Sequence, residues 1–314
     1  MSVWFGVIAA VTGSLFVFTK FMAWRLARAY PPQGSFVDVD GGRLHIVVAG
    51  ETPGRANVLL LHGASGNQAD MMVALGQRLT DLGFRVIAVD RPGSGWSSRP
   101  SGYVSPAMQA KMIREGIGKL GFDQAIVVGH SLAGATARQF AMDQPDFTQG
   151  LVLISPVTHP WPGGIAWFYH VAAAPWIGPV FTQLLTLPLG FLSLNSAIRH
   201  VFAPCMVPSG FATNTGAALV LRPKAFRANA QDMAGLYEFI CAQVSREAEI
   251  KVPTAIVSGE QDAVVYTSIH SVASAKAIAG ARLRILAPMG HSPHHCDPEA
   301  VIAEILGVAA RAGV

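Results

Sequence analysis

The rhythm of apolar and polar positions changes along the chain. From Met1 to Thr19 no side chain is charged, and Lys20, Arg25 and Arg28 follow. On an α-helix rising about 1.5 Å per residue, Trp4 and Trp24 stand roughly 30 Å apart. That is close to the hydrocarbon thickness of a bilayer, with an indole for each interface. Residues 1–30 therefore predict a helix that spans or anchors in a membrane. A cleaved leader begins with basic residues, whereas here the positive charges follow the apolar run. The excess of cations after the run places the remaining chain on the cytoplasmic side. An amphipathic helix packed on the domain is the alternative.

Tyr30-Pro31-Pro32 ends this helix, because proline lacks the amide hydrogen that helix continuation needs. The pattern then shortens to strand length. Phe36–Asp40, a Gly41-Gly42 turn and Arg43–Val48 predict an antiparallel hairpin. Apolar runs at 57–62, 84–90, 125–129, 150–155, 253–258 and 282–286 follow. Helical stretches lie near 68–82, 106–120, 131–142 and 298–311. Continuous apolar strands alternating with helices predict an α/β fold with a mostly parallel eight-stranded sheet, covered on both faces. The core is expected from 31–155 and 250–314, with 156–249 inserted between two strands. From Pro156 to Ile198 the insertion has no Asp, Glu, Lys or Arg, and its six prolines predict short apolar helices forming a lid. Such a lid is either buried core or the wall of an apolar substrate pocket whose outer face meets lipid.

Composition sharpens this picture. Hydrophobic residues make up 51% of the 314 and charged residues only 13%, a greasy balance to which the N-terminus and the insertion contribute most. The net charge of +4 is scattered without a basic stripe, which argues against nucleic-acid binding and for a weak affinity for anionic lipid surfaces. Cys205, Cys241 and Cys296 have no paired spacing, so three reduced and mostly buried thiols are expected.

Val127-Val128-Gly129-His130-Ser131-Leu132-Ala133-Gly134 puts a serine between a predicted strand and a predicted helix, flanked by small residues. A nucleophile on a tight turn needs this arrangement, because only small neighbours let strand and helix approach. The usual G-x-S-x-G has Ala133 in its last position here, which leaves the tightness of packing open. In this context the chain resembles the α/β-hydrolase fold superfamily, in particular its lidded serine esterases, lipases and C–C hydrolases. The resemblance covers about Phe36 to Arg311. It includes Leu61-His62-Gly63-Ala64 as an HG loop and Asp90-Arg91-Pro92-Gly93-Ser94-Gly95 as a D-x-P-G-x-G turn.

The resemblance implies the roles. Ser131 would be the nucleophile and His291, after Gly290, its general base. Asp262 in Ser258-Gly259-Glu260-Gln261-Asp262 would orient that base, with Glu260 the weaker alternative. The amides of Ala64 and Leu132 would form the oxyanion hole, and His62 would brace its loop. His294 and His295 are expected near the site; no third ligand at suitable spacing supports a metal, and no cofactor is expected. The implied reaction is hydrolysis of carboxylic esters, with lipophilic acyl esters favoured by the apolar lid. A C–C bond hydrolase acting on diketones uses the same residues, and a non-catalytic binding protein on this fold is the alternative from another class.

Overall fold

The computed structural model describes residues 2–50 and 55–314; Met1 of the expected membrane segment and residues 51–54 of the expected core lie outside the described residues. Strands β1 (Ser35–Val39), β2 (Gly42–Ala49), β3 (Asn57–Leu61), β4 (Arg85–Val89), β5 (Ala125–His130), β6 (Thr148–Ile154), β7 (Thr254–Gly259) and β8 (Arg282–Leu286) form one sheet in the order β1-β2-β4-β3-β5-β6-β7-β8. β1 and β2 pair antiparallel, β2 meets β4 antiparallel, and all remaining pairs are parallel. The hairpin register pairs Val39 with Gly42, so its turn is Asp40-Gly41, one residue earlier than expected; Gly41 supplies the positive φ of 82°.

The central strands are buried along their whole length, which is why they read as unbroken apolar runs. One face of the sheet packs on helices Pro106–Lys119 and Ala133–Asp143, through residues such as Ile113, Ile117, Ala137 and Phe140. The other packs on the helical segment 68–81 and on Pro298–Ala312, through Met71, Leu75, Val301 and Ile305. The edge strand β8 alternates Arg282, Leu283, Arg284 and Ile285 and is buried only at Leu286, as befits a sheet edge. The chain leaves β3 toward β4 on one side and β5 toward β6 on the other. Loops at the carboxyl ends of β3 and β5 therefore diverge, and a crevice opens between them.

Two expected helices differ in detail. The segment 68–81 is not a plain α-helix but passes through a π-helical stretch at Met72–Gly76. Between β6 and β7 the inserted segment is helical as expected, yet its pieces are not all short. Ile177–Leu184 is followed, after a 67° bend, by the 17-residue helix Thr186–Phe202, and Pro223–Gln243 runs for 21 residues. Pro179, Pro188 and Pro223 all sit in the first turn of their helices. The amide hydrogens there have no intrahelical partner to lose, so proline starts these helices instead of breaking them.

The N-terminal helix Ser2–Ala29 is continuous, and its Trp4–Ala29 stretch is long and apolar enough to cross a membrane. Its stretch up to Val17 leaves Phe5, Ile8, Val11 and Val17 exposed. Its second half packs: Met22, Leu26 and Tyr30 join Leu187, Leu219 and Leu221 of the insertion in one apolar cluster. The second half thus packs on the domain, as one of the two sequence alternatives has it, while the whole helix has the length and composition that the other requires.

Candidate active site

The site is built on the crevice between β3 and β5. Ser131 lies between β5 and the helix that starts at Ala133, with φ of +55°, a left-handed conformation unusual for a residue with a side chain. The turn is held by bonds on both sides: the Ser131 amide donates to the Ile154 carbonyl at 2.9 Å, and the Ser131 carbonyl accepts from Gly134 at 2.9 Å and Val157 at 3.1 Å. A Cβ on Gly129 would lie 2.6 Å from that of Ala137, and one on Gly134 would lie 2.6 Å from that of Pro156. The close approaches therefore fall on Gly129 and Gly134, and the methyl of Ala133 is accommodated in the buried first turn.

Residues from three loops converge on this turn. His291, in the loop after β8, places Nε2 2.9 Å from Ser131 Oγ. Its Nδ1 is 2.8 Å from Asp262 Oδ2, and Asp262 comes from the loop after β7. The other carboxylate oxygen, Oδ1, accepts the amides of Val264 at 2.9 Å and Val265 at 2.8 Å, which fixes the carboxylate plane. Ser131, His291 and Asp262 are all buried, whereas Glu260 points to the surface. Of the two carboxylates considered from sequence, Asp262 is the one brought to His291.

The loop after β3 lies against the serine, since a Cβ on Gly63 would be 3.0 Å from Ser131 Cβ. Ala64 and Leu132 line the same cavity as Ser131, and neither amide donates to a protein acceptor among the described residues. His62 is buried beneath this loop. Its Nδ1 bonds to the Gly63 carbonyl at 2.8 Å, and Nε2 accepts the Arg91 amide at 3.0 Å. Burial, with Arg91 beside it, lowers the His62 pKa to about 4, so the ring is a neutral brace. Arg91, fully buried, donates to the carbonyls of His62 and Gly63 and pairs with Asp232 at 2.9 Å. This brace escaped the sequence reading, although Arg91 stands inside the D-x-P-G-x-G turn; nothing in the spacing points to Asp232.

Behind His291 is a stack of histidines. His130 donates from Nε2 to the His291 carbonyl at 3.0 Å, and its ring is 4.9 Å from that of His291 and 4.3 Å from that of His294. Burial first, then His294 and His291, push the His130 pKa well below its ordinary value. His295 Nε2 is 2.8 Å from Asp70 Oδ1, and His294 Nε2 is 3.6 Å from Asp70 Oδ2. Burial opposes ionisation of Asp70, yet the adjacent His294 and His295 rings, His295 by a hydrogen bond, hold its pKa well below the usual carboxylate range. Asp70, His294 and His295 keep their donor atoms within 4.8 Å of one another and are the residues that could hold a metal ion. Asp70 lies 225 positions before His295, beyond the reach of any spacing argument.

The thiols differ from expectation. Cys241, on the helix Pro223–Gln243, is exposed, and Cys205, in the bend after Phe202, and Cys296, at the end of Pro293–Cys296, are half-buried. Burial and a hydrogen bond with Cys205 push the Cys296 thiol up to about 12.

A cavity of about 720 Å³ opens over Ser131 and His291. The insertion contributes Trp161, Tyr169, Leu194, Ile198, Phe202 and Phe211 to its wall, and among the described residues Asp70 is the sole carboxylate that lines it. Such a cavity suits a small molecule with a substantial apolar part.

Comparison with known proteins agrees with this architecture. A family described as alpha/beta hydrolase fold matches residues 56–298. An uncharacterised protein of Mycobacterium tuberculosis strain H37Rv is 30% identical over 288 residues, covering 85% of this chain and 78% of the relative. Haloalkane dehalogenase 2 of the same strain is 27% identical over 251 residues, covering 74% and 79%. The solved structure of a thermophilic esterase from Thermogutta terrifontis superposes with a TM-score of 0.70 at 22% identity, covering 90% of this chain and all of the esterase. With its sheet, its crevice and a family match over most of its length, this chain belongs to the α/β-hydrolase fold family and is a hydrolase of small-molecule substrates.

Proposed function

We propose that the protein is a serine hydrolase that cleaves carboxylic esters with lipophilic acyl groups, and that Ser131, His291 and Asp262 are its catalytic residues. The observation that carries this reading is the continuous hydrogen-bonded chain from Ser131 Oγ through His291 to Asp262. In the proposed reaction His291 Nε2 takes the Ser131 proton as Oγ attacks the ester carbonyl. Asp262 holds the imidazole in the tautomer that leaves Nε2 free to accept, and it stabilises the imidazolium that results. The amides of Ala64 and Leu132 receive the developing oxyanion, which favours the tetrahedral intermediate over the flat ester. The imidazolium then protonates the leaving alcohol, and water repeats the sequence on the acyl-enzyme.

The dehalogenase relative bears on the choice of reaction. Displacement of halide from a saturated carbon calls for a carboxylate nucleophile that forms an ester with its substrate. At the turn where such a nucleophile would stand this chain has Ser131, which suits acyl transfer. The cavity wall, mostly apolar and without Lys or Arg among the described residues, supports a long or bulky acyl group over a charged one. The N-terminal helix would serve as membrane anchor, with residues 31–155 and 250–314 as the cytoplasmic catalytic core and 156–249 as its lid.

A fluorophosphonate probe and a series of p-nitrophenyl esters from acetate to palmitate test the reading. Covalent labelling of Ser131, turnover that rises with acyl length, and loss of both in a folded Ser131→Ala variant are expected. Normal ester turnover by Ser131→Ala would refute it.

A further inference from the structure

We propose that the groove between the N-terminal helix and the insertion is a binding site for the phosphate headgroup of an anionic phospholipid. The inference rests on the reading of that helix as a membrane anchor. The groove encloses about 690 Å³ and lies apart from Ser131. Lys20 of the N-terminal helix, Arg99 of the loop after β4, and Arg222, Lys224 and Arg227 at the start of helix Pro223–Gln243 all line it, and no Asp or Glu among the described residues does. Arg99 is paired with Asp232 at 2.6 Å. The other four cations have no carboxylate within 4.0 Å among the described residues. Four cations gathered on one concave surface, with Asp90 acting on Arg222 alone, favour an anion placed among them.

The polar atoms of the groove point the same way. Thr19 Oγ1, Gln183 Oε1 and Arg227 Nε are buried and have no hydrogen-bond partner. All three residues line this one groove, although they come from three separate helices. The Thr19 hydroxyl and the Arg227 Nε–H are unused donors in the wall of the groove, and a rotated Gln183 amide adds its NH₂. Arg222 is already planted: its guanidinium lies 4.6 Å from the Trp96 ring centre and donates to the Gly95 carbonyl. Phosphate oxygens satisfy convergent donors and cations together, which a neutral headgroup does not.

The place of the groove selects lipid over free phosphate. Lys20 is the first charge after Met1, and sixteen residues of helix, about 24 Å, separate it from Trp4. With Trp4 and Trp24 at the two interfaces, Lys20 lies about one helical turn inside the second, within snorkelling reach of the phosphates. The helix Ile177–Leu184, which contributes Gln183, leaves Ile177 and Val180 exposed, and the adjoining Trp176 is 88% exposed. These are the side chains that would meet the acyl chains of a lipid whose headgroup fills the groove.

The test is a titration of the detergent-solubilised full-length protein with phosphatidylglycerol, with phosphatidylcholine, and with inorganic phosphate. Thermal unfolding and native mass spectrometry are the readouts. Saturable binding of one phosphatidylglycerol that raises the melting temperature is expected, with little response to phosphatidylcholine. A triple variant Lys20→Gln, Lys224→Gln, Arg227→Gln should bind phosphatidylglycerol at least about tenfold more weakly, while hydrolysing a short soluble ester at the normal rate. If the triple variant does not fold, the exposed Lys224→Gln alone should still weaken binding about threefold. Equal binding of both lipids, or unchanged affinity in the variants, overturns the proposal. Saturation by inorganic phosphate as tight as by phosphatidylglycerol makes this a soluble-anion site and overturns it too. Lipid binding and thermal unfolding need neither an active Ser131 nor an intact bilayer, so failure of the esterase or anchor reading stays separate.

Discussion

Replacing Asp262 with Asn tests the catalytic reading most closely, because the structure dictates how the asparagine must sit. Oδ1 of Asp262 accepts two backbone amides, from Val264 and Val265, and Oδ2 faces His291 Nδ1 at 2.8 Å. An asparagine amide has one oxygen and one NH₂, and the NH₂ cannot face two N–H donors. Its oxygen must take the Oδ1 position, which turns the NH₂ toward His291. Nδ1 then becomes the acceptor, the imidazole proton moves to Nε2, and Nε2–H faces Ser131 Oγ across 2.9 Å. In that tautomer the ring cannot take the serine proton. A loss of about 10⁴ in kcat follows, some 5.5 kcal/mol of transition-state stabilisation, with KM nearly unchanged. Steady-state kinetics on a short p-nitrophenyl ester, with circular dichroism to establish folding, provides the measurement. Glu260→Gln is the control and should leave turnover intact, since Glu260 is at the surface. A folded Asp262→Asn protein retaining more than about a tenth of wild-type kcat would refute the assignment of this carboxylate.

Three further outcomes follow from the packing. His62, His270 and His294 are held down to about 4, in each case first by burial, whereas the unfolded chain titrates near 6.5. Unfolding therefore takes up protons between those pH values, and stability, complete above pH 6.5, should fall on acidification by ~1.4 kcal/mol per pH unit for each histidine. A melting temperature that stays constant from pH 7 to pH 5 contradicts this. Asp232→Ala leaves Arg91 and Arg99 buried without a counter-charge and should cost about 3–5 kcal/mol in denaturant unfolding; a loss below about 1 kcal/mol means that water enters to solvate them. Deleting residues 2–17 should free the protein from membranes and preserve short-ester hydrolysis, whereas deletion through Tyr30 also uncovers Leu187, Leu219 and Leu221 and should lower thermal stability. Equal stability of the two truncations would show that this apolar cluster does not contribute.

The sheet and the candidate site were legible in the sequence for different reasons. Strands such as β5 and β7 are buried on both faces, so their composition alone marks them. Ser131, Asp262 and His291 each sit just beyond a strand end in a short motif, and strand ends are where apolar runs stop. What escaped reading depends on contacts between distant segments. Asp232 reaches Arg91 from a helix 141 positions later, and Asp70 reaches His295 across 225. The prolines misled for a local reason: their count suggested short helices, but proline in the first turn begins a helix, and only position within the turn separates the two cases. The N-terminal segment was ambiguous because lipid contact and packing on the insertion select the same apolar residues, and here one helix does the second and has the length for the first.

The helix Thr186–Phe202 ties these features together. Leu187, Phe191, Leu194 and Ile198 recur at the three- and four-residue intervals that place them on one stripe. At its start the stripe packs against Leu26, Met22 and Tyr30 of the N-terminal helix, and at its end it lines the cavity over Ser131, with Leu194 belonging to both contacts. From Leu187 to Val201 is about 21 Å of helix, so a single rigid element connects the proposed anchor to the roof of the proposed active site. The outer side of the same helix leaves Leu189 and Leu192 exposed. If the N-terminal helix is held in a bilayer, this helix lies beside the lipid surface with its inner stripe over the nucleophile. A lipophilic ester would then pass from lipid to Ser131 along a path with no Lys or Arg among the described residues of the cavity wall, and the desolvation of its acyl chain would already be complete on arrival.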